Sequence, residues 1–117
     1  MRRLDEGLEA QNIFRKGPFR VALAEQKIFV DAGSDKDLGL SSIEFKLFYY
    51  FLRHEDHVLS REMILNEVWG AATHVTDRVV DTYVYALRKK LGHLNRVIYS
   101  VPRIGYKLSL STKSEAA

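Results

Sequence analysis

One amphipathic segment constrains the fold of this chain more than any other feature of its sequence. The segment TDRVVDTYVYALRKKLG, residues 76–92, is long enough for about four turns of helix. Its apolar side chains recur at spacings of four, three and four, so a helix would gather them into one stripe. Its acidic residues lie near the N-terminus or to one side. The stripe is Val80, Val84, Leu87 and Leu91, and the opposite face carries Arg78, Thr82, Tyr85 and Lys89.

Composition places the chain among ordinary one-domain proteins. With 117 residues and 46% hydrophobic content it can bury a core without cross-links. The absence of cysteine excludes disulfides, thiolate zinc sites and a cysteine nucleophile. No apolar run approaches the roughly 20 residues that cross a bilayer, and MRRLDEGLEAQN lacks the apolar centre of a signal peptide. We therefore expect a cytoplasmic protein with no membrane partner.

The positive charge is concentrated in the second part of the chain. The net charge is +3, but residues 75–117 carry 8 Lys+Arg against 3 Asp+Glu, whereas the preceding residues are slightly acidic. This asymmetry suggests a surface that binds a polyanion, although solvated surfaces often show the same surplus.

The segments before the amphipathic helix predict a small sheet and two further helices. Residues 1–17 are polar and end at Gly17-Pro18, which is typical of a linker, and 19–30 read as two short antiparallel strands. Residues 32–39 are expected to be a loop or a short edge strand. The sequence from Ser41 to Glu44 has the spacing of a capping box, and it predicts a helix that ends near His54. A second helix is predicted at 61–69, capped by Ser60 and stopped by Gly70.

A hairpin is predicted after the third helix. The strings RVIYSV and GYKLSL are separated by residues 102–105, where Pro102 would supply a fixed φ and Gly105 a permissive one. The order of strands, three helices and hairpin is that of an α+β winged helix-turn-helix, with an amino-terminal antiparallel sheet and a carboxy-terminal β-hairpin wing.

DNA binding is the function that this arrangement favours. A helix about 10–12 Å across fits the major groove of B-DNA, and a neighbouring hairpin can bring a cation to the adjacent backbone or minor groove. The pattern alone also fits a plain solvated helix face. Tyr85 favours a binding surface, because a large aromatic side chain at the centre of a solvent face needs a partner.

One short polar segment could also suggest a metalloenzyme. Residues 54–57, HEDH, contain ligands that a metal would accept, but a polar turn is expected between two helices and no second ligand pair has a matching spacing. His74 and His93 are expected on the surface. Neither a glycine-rich phosphate loop nor a serine-elbow motif occurs. We expect no catalytic activity, no metal and no cofactor.

Four blocks of the sequence carry a family resemblance. LSSIEFKLF, LSREMILNEVWG, DRVVDTYVYALRKKLG and YSVPRIGYKL resemble the winged-helix effector domain of OmpR/PhoB-type response regulators. The resemblance implies a four-stranded amino-terminal sheet and a third helix that lies in the major groove. It further implies a sequence-specific, DNA-binding transcriptional regulator of the two-component type.

The resemblance also assigns roles to residues. Positions at or beside the base edges are those of Thr82, Tyr83 and Ala86, and the loop that touches RNA polymerase in activators corresponds to Gly70, Ala71, Ala72, Thr73 and His74. The DNA backbone is contacted from the places of Arg61, Trp69, Arg78, Arg88, Ser100 and Tyr106, to which we add Tyr85 and Lys89 from the outer face of the third helix.

Departures from the family pattern alter these expectations. Positions 85 and 86 are often basic in the family, and Pro102 and Arg103 stand where it has the wing arginine and a following glycine. Fewer cations predict weaker and less salt-dependent binding. Arg103 is expected to take over the minor-groove contact. The alternative is that the one-residue shift points its side chain to solvent, so that the wing makes only backbone contacts through Ser100 and Tyr106.

The resemblance also suggests how the domain is used. Residues 1–17 would be a linker or the tail of a receiver domain that is absent from this chain, 18–112 the winged-helix domain, and 113–117 a disordered tail. Double-stranded DNA is the expected partner, bound by a homodimer or a pair of copies. The alternative is a winged-helix protein-interaction module with weakened DNA binding.

Overall fold

A computed structural model describes residues 12–31, 35–71 and 74–110 of the chain. Its elements follow the predicted order of strands, helices and hairpin. They are β1 (Ile13–Lys16), β2 (Phe19–Ala22), β3 (Lys27–Asp31), β4 (Asp35–Asp37), α1 (Ser42–Arg53), β5 (Val58–Ser60), α2 (Arg61–Val68), α3 (Arg78–Leu91), a 3-10 turn (Gly92–Val97), β6 (Ile98–Val101) and β7 (Gly105–Leu108). The predicted α+β winged-helix class is confirmed.

The amino-terminal sheet has four antiparallel strands in the order β1-β2-β3-β4. The four-stranded sheet implied by the resemblance is therefore confirmed, with β4 as the short edge strand foreseen within 32–39. Strand β1 lies inside the segment 1–17 that was predicted to be a linker, so the sheet begins earlier than the sequence suggested. β1 is a half-exposed edge strand, and such a strand lacks a strong apolar pattern.

Helix α1 covers one face of this sheet. Its capping box is present: Ser41 Oγ accepts from the Glu44 N–H, and Glu44 Oε1 accepts from the Ser41 N–H at 2.8 Å. Phe19 of β2 packs edge-on against Phe48 of α1, with ring centroids 4.9 Å apart, and both rings are buried. The contact fixes the sheet against the helices that follow it.

Helices α2 and α3 form the helix-turn-helix. Ser60 caps α2 by accepting from the Met63 N–H at 3.0 Å, and Gly70 beyond its end has a φ of +102° that other residues adopt rarely. Helix α3 begins at Arg78, two residues after the predicted segment begins. The predicted apolar stripe of α3 is confirmed, since no member exceeds 3% exposure.

The second sheet has the order β5-β7-β6 and contains the wing hairpin. Strand β5 was not predicted because three residues between two helices are too few to show a pattern. A Cβ at Gly105 would collide with the Leu59 carbonyl oxygen, so this close strand pairing requires glycine. The predicted permissive φ at Gly105 was wrong: Arg103 occupies the left-handed position, at +69°, in a turn closed by Ile104 N–H to Val101 O at 3.0 Å.

Candidate nucleic-acid interface

The outer face of α3 is an exposed surface of the helix-turn-helix. Its side chains lie opposite the buried stripe because successive residues turn by about 100° around the helix. Tyr85 is 64% exposed, and the Lys89 ammonium lies 5.4 Å from the centroid of its ring. Arg78 and Thr82 are also exposed on this face, and Ala86 is half-buried beside it. The face combines cations, two hydroxyl groups and one aromatic ring.

The flank of α3 nearer the wing is tied to it by Arg88. The Arg88 guanidinium donates through Nη2 to the Ile98 carbonyl at 2.8 Å and to Ser100 Oγ at 3.1 Å. Both acceptors belong to β6. These bonds set the position of the wing relative to the helix.

The same flank carries a carboxylate that binds two other elements. Asp81 Oδ1 accepts from Arg61 Nε of α2 at 2.8 Å and from the Tyr106 hydroxyl of β7 at 2.6 Å. Burial would raise the pKa of Asp81, but these two hydrogen bonds outweigh it and hold the pKa below its ordinary value. The carboxylate therefore stays ionised and holds α2, α3 and β7 together. No sequence pattern predicts these bonds, because the partners of Asp81 lie 20 and 25 positions away along the chain.

Two guanidinium groups lie near the ring of Tyr106. Those of Arg61 and Arg88 lie 5.6 and 5.7 Å from the centroid of its ring. Burial and the hydrogen bond to Asp81 raise the pKa of Tyr106, so its hydroxyl remains a donor. Because the ring is buried, Tyr106 orients the two arginines. We call Arg61, Asp81, Arg88, Ser100 and Tyr106 the arginine cluster.

The other flank of α3 is packed against the end of α2. The rings of Trp69 and Tyr83 meet at 64° with centroids 5.3 Å apart, and both side chains are half-buried. Tyr83 therefore lies on a flank, whereas Thr82 lies on the outer face. Trp69 is the partner that holds the Tyr83 ring there.

A second polar contact, not found from the sequence, joins the end of α3 to α1. Lys90 Nζ donates to Glu44 Oε1 at 2.7 Å and to the Gly39 carbonyl at 2.8 Å. Burial would raise the pKa of Glu44, but the bonds from Lys90 and from the Ser41 backbone hold it below its ordinary value. The capping-box glutamate of α1, Glu44, thus also positions the carboxyl end of α3. No sequence signal pairs residues 46 positions apart.

The wing tip is exposed and its backbone is fixed. Pro102 and Arg103 are exposed, and Ile104 is 51% exposed. The Ile104 carbonyl accepts from the Arg61 N–H at 3.3 Å, so the tip is linked to the start of α2. Arg103 has a left-handed backbone, which is uncommon for a residue with a side chain.

The remaining predicted residues lie apart from this interface or outside the described residues. Gly70 is half-buried, Ala71 and His74 are exposed, and Ala72 and Thr73 fall outside the described residues. His54 packs on Tyr50 at the end of α1, with ring centroids 4.8 Å apart. Within 12–31, 35–71 and 74–110, no three histidine or acidic side chains gather as a metal site would require. In the same ranges, no helix is long and apolar enough to span a membrane.

Comparison with known proteins identifies the family. The family model described as "Transcriptional regulatory protein, C terminal" matches residues 35–108. The phosphate regulon transcriptional regulatory protein PhoB of Klebsiella pneumoniae is 42% identical over 77 residues, which cover 64% of this chain and 34% of PhoB. The chain thus spans well under half the length of this relative.

Two solved structures share the architecture. The DNA-binding domain of Bacillus subtilis CssR superposes with a TM-score of 0.68 at 37% identity, covering 77% of this chain and 98% of that domain. The DNA-binding domain of response regulator AdeR, solved with an intercistronic region, superposes with a TM-score of 0.74 at 20% identity, covering 82% of this chain and 98% of that domain. The second likeness concerns the fold alone. The chain belongs to the transcriptional regulatory protein C-terminal family, as an effector domain of the OmpR/PhoB type.

Proposed function

We propose that this domain binds duplex DNA sequence-specifically and regulates transcription, without catalysing a reaction. The observation that carries the proposal is the outer face of α3, where Arg78 and Lys89 flank neutral side chains beside the arginine cluster. A helix bound in the major groove has phosphates on both sides of it. The cations on the outer face and on the wing-side flank of α3 lie where they could bind these phosphates. PhoB, which resembles this chain, is a transcriptional regulator by its description.

The contacts divide between bases and backbone. We propose that Thr82 and Ala86 read base edges and that Tyr83, held by Trp69, supports them from the flank. Arg78 and Lys89 bind phosphates of the strands that border the groove. The free N–H groups of Arg61 and Arg88 bind a phosphate beside the wing, with Ser100 on the same edge and Tyr106 orienting both guanidiniums.

The wing contributes a contact in the adjacent minor groove. Arg103 stands at the tip of the hairpin, and a narrow, A·T-rich minor groove attracts a guanidinium. The fixed backbone at Ile104 would hold this tip at a constant distance from α2. We propose that Arg103 makes this contact from the position that a glycine occupies in the family.

The setting of the domain follows from its relatives. PhoB is about three times as long as the matched segment, which is consistent with a receiver domain that precedes β1. We propose that the protein acts in the cytoplasm as a pair of copies on DNA, with the loop 70–74 facing RNA polymerase.

Selection of bound sequences from a random duplex library tests the function. Enrichment of one motif is the expected result and also supplies the half-site. A protein-interaction module would enrich no motif and would bind random duplex hardly at all at low salt, and that outcome would overturn the proposal.

A further inference from the structure

We infer that Tyr85 reads a base, recognising thymine through its C5-methyl group. This inference rests on the proposed function and deepens it. From the sequence, Tyr85 was assigned to the DNA backbone, so the inference gives it a different role. It also names the chemical group that Tyr85 recognises.

The Tyr85 side chain is largely exposed. At 64% it is the most exposed of the large hydrophobic side chains in the described part of the chain, and it lies on a helix face that is otherwise polar. Leaving this ring in water forgoes the stabilisation that burial would give, about 25 cal/mol per Å² of apolar surface. The ring therefore gains most from a partner that offers an apolar surface.

A neighbouring lysine restrains the Tyr85 ring. Lys89 lies one helical turn after Tyr85, and its ammonium sits 5.4 Å from the ring centroid. This contact restrains the ring along the helix surface, and most of the side chain remains exposed. The neighbouring side chain, Ala86, is small and leaves room for a group from the groove.

The major groove offers a suitable partner for the Tyr85 ring. Base edges there present hydrogen-bond donors and acceptors together with one apolar group, the C5-methyl of thymine. A neutral phenol releases no counterion from a phosphate, whereas Arg78 and Lys89 on the same face do. Tyr85 thus matches the thymine methyl better than it matches the backbone.

Removal of one methyl group from the DNA tests the inference. In a duplex that the wild-type protein selects, each thymine is replaced singly by uracil, which removes only the C5-methyl. At one position the replacement should weaken wild-type binding about fourfold, the ratio expected for one buried methyl group. In Tyr85→Ala the same replacement should have no effect, and in Tyr85→Phe the full effect should persist.

Tyr99→Ala is the matched control. Tyr99 is 40% exposed, and Lys107 lies over its ring at 5.8 Å, so the pair has the same chemistry on another surface. Its side chain points to the face of β6 opposite that of Ser100, since successive strand residues alternate. Tyr99→Ala should keep the uracil effect.

The outcomes separate the inference from the function. A uracil effect that persists in Tyr85→Ala overturns the inference, and so does a Tyr85→Phe variant that weakens every duplex equally, because the hydroxyl would then bind a phosphate. In both cases the wild-type protein still selects a motif, so the proposed function stands. A wild-type protein that selects no motif overturns both.

Discussion

The amino-terminal sheet and the wing sheet are both small and antiparallel, but they differ in how much of their surface is exposed. In the first, β2 and β3 bury Phe19, Val21 and Ile28 against the helices, and these side chains expose 1% of their surface or less. In the second, β7 buries Leu108, but the hairpin tip is exposed. The topology of an antiparallel sheet thus does not determine its role. The first sheet supports the helices, and the second offers a surface beside α3.

The turns of the two sheets extend the comparison. The β1–β2 turn places Gly17 at φ +58°, whereas the wing turn places Arg103 at +69°. An arginine in this conformation costs about 1 kcal/mol relative to glycine. Gln26 in the β2–β3 turn has a similar φ of +55°, so a left-handed backbone at a residue other than glycine does not by itself indicate a function.

The largest effect should follow from opening the core of the first sheet. Phe19→Ala removes the ring that packs on Phe48, and the cavity should lower the free energy of unfolding by about 3–5 kcal/mol. Urea denaturation measures the change. Ile104→Ala at the wing tip is the control and should shift it by no more than about 0.5 kcal/mol. Equal losses in the two variants would contradict the division between support and surface.

An intermediate effect should follow from the contact between α1 and α3. Glu44→Gln removes the charge that Lys90 binds, and we expect a loss of about 1–2 kcal/mol at neutral pH. The folded pKa of Glu44 lies below its ordinary value of 4.5, so the unfolded state takes up a proton first as the pH falls. The stabilisation is therefore present above pH 4.5 and is lost as the pH falls through the folded pKa.

The pH dependence separates Glu44 from other acidic groups. Unfolding curves between neutral pH and pH 3 should show a flatter decline for Glu44→Gln than for wild type. Glu62→Gln, an exposed residue in the first turn of α2, serves as the control and should leave the slope nearly unchanged. Parallel curves for wild type and Glu44→Gln would show that Lys90 does not stabilise the carboxylate.

A substitution in the wing should cause the smallest change in stability, and this change should be an increase. Arg103→Gly relaxes the left-handed position and should raise the free energy of unfolding by about 1 kcal/mol. The same variant should lose any preference for an A·T-rich over a G·C-rich flank, measured on two duplexes that differ only there. Because glycine preserves the turn, loss of the preference cannot come from a distorted hairpin. An unchanged preference would remove the proposed contact.

Local patterns predicted most of the fold. The stripe of α3, the capping box at Ser41 and the hairpin around Pro102 each depend on residues close in sequence, and each is present. Strand β1 was missed because it is a half-exposed edge strand, and β5 because it is short. Each is held by pairing with another strand, β1 with β2 and β5 with β7, and not by an apolar pattern of its own.

The site was predictable in its outline but not in its connections. The outer face of α3 was visible as a run without acids opposite the stripe. The hydrogen bonds that join Asp81 to Arg61 and Tyr106 depend on how three elements pack. The spacing of these residues along the chain therefore does not predict them. The left-handed backbone at Arg103 was likewise hidden, because arginine gives no signal for that conformation.

The salt dependence of DNA binding in Lys89→Ala tests the central claim most directly. Binding of the selected duplex is measured over a range of salt concentrations for wild type, Lys89→Ala and Lys46→Ala, the last an exposed lysine on α1 away from the α3 face. If the outer face of α3 meets phosphates, Lys89→Ala should reduce the slope of log K against log salt by about one, and Lys46→Ala should not change it. An unchanged affinity and slope in Lys89→Ala would contradict the account.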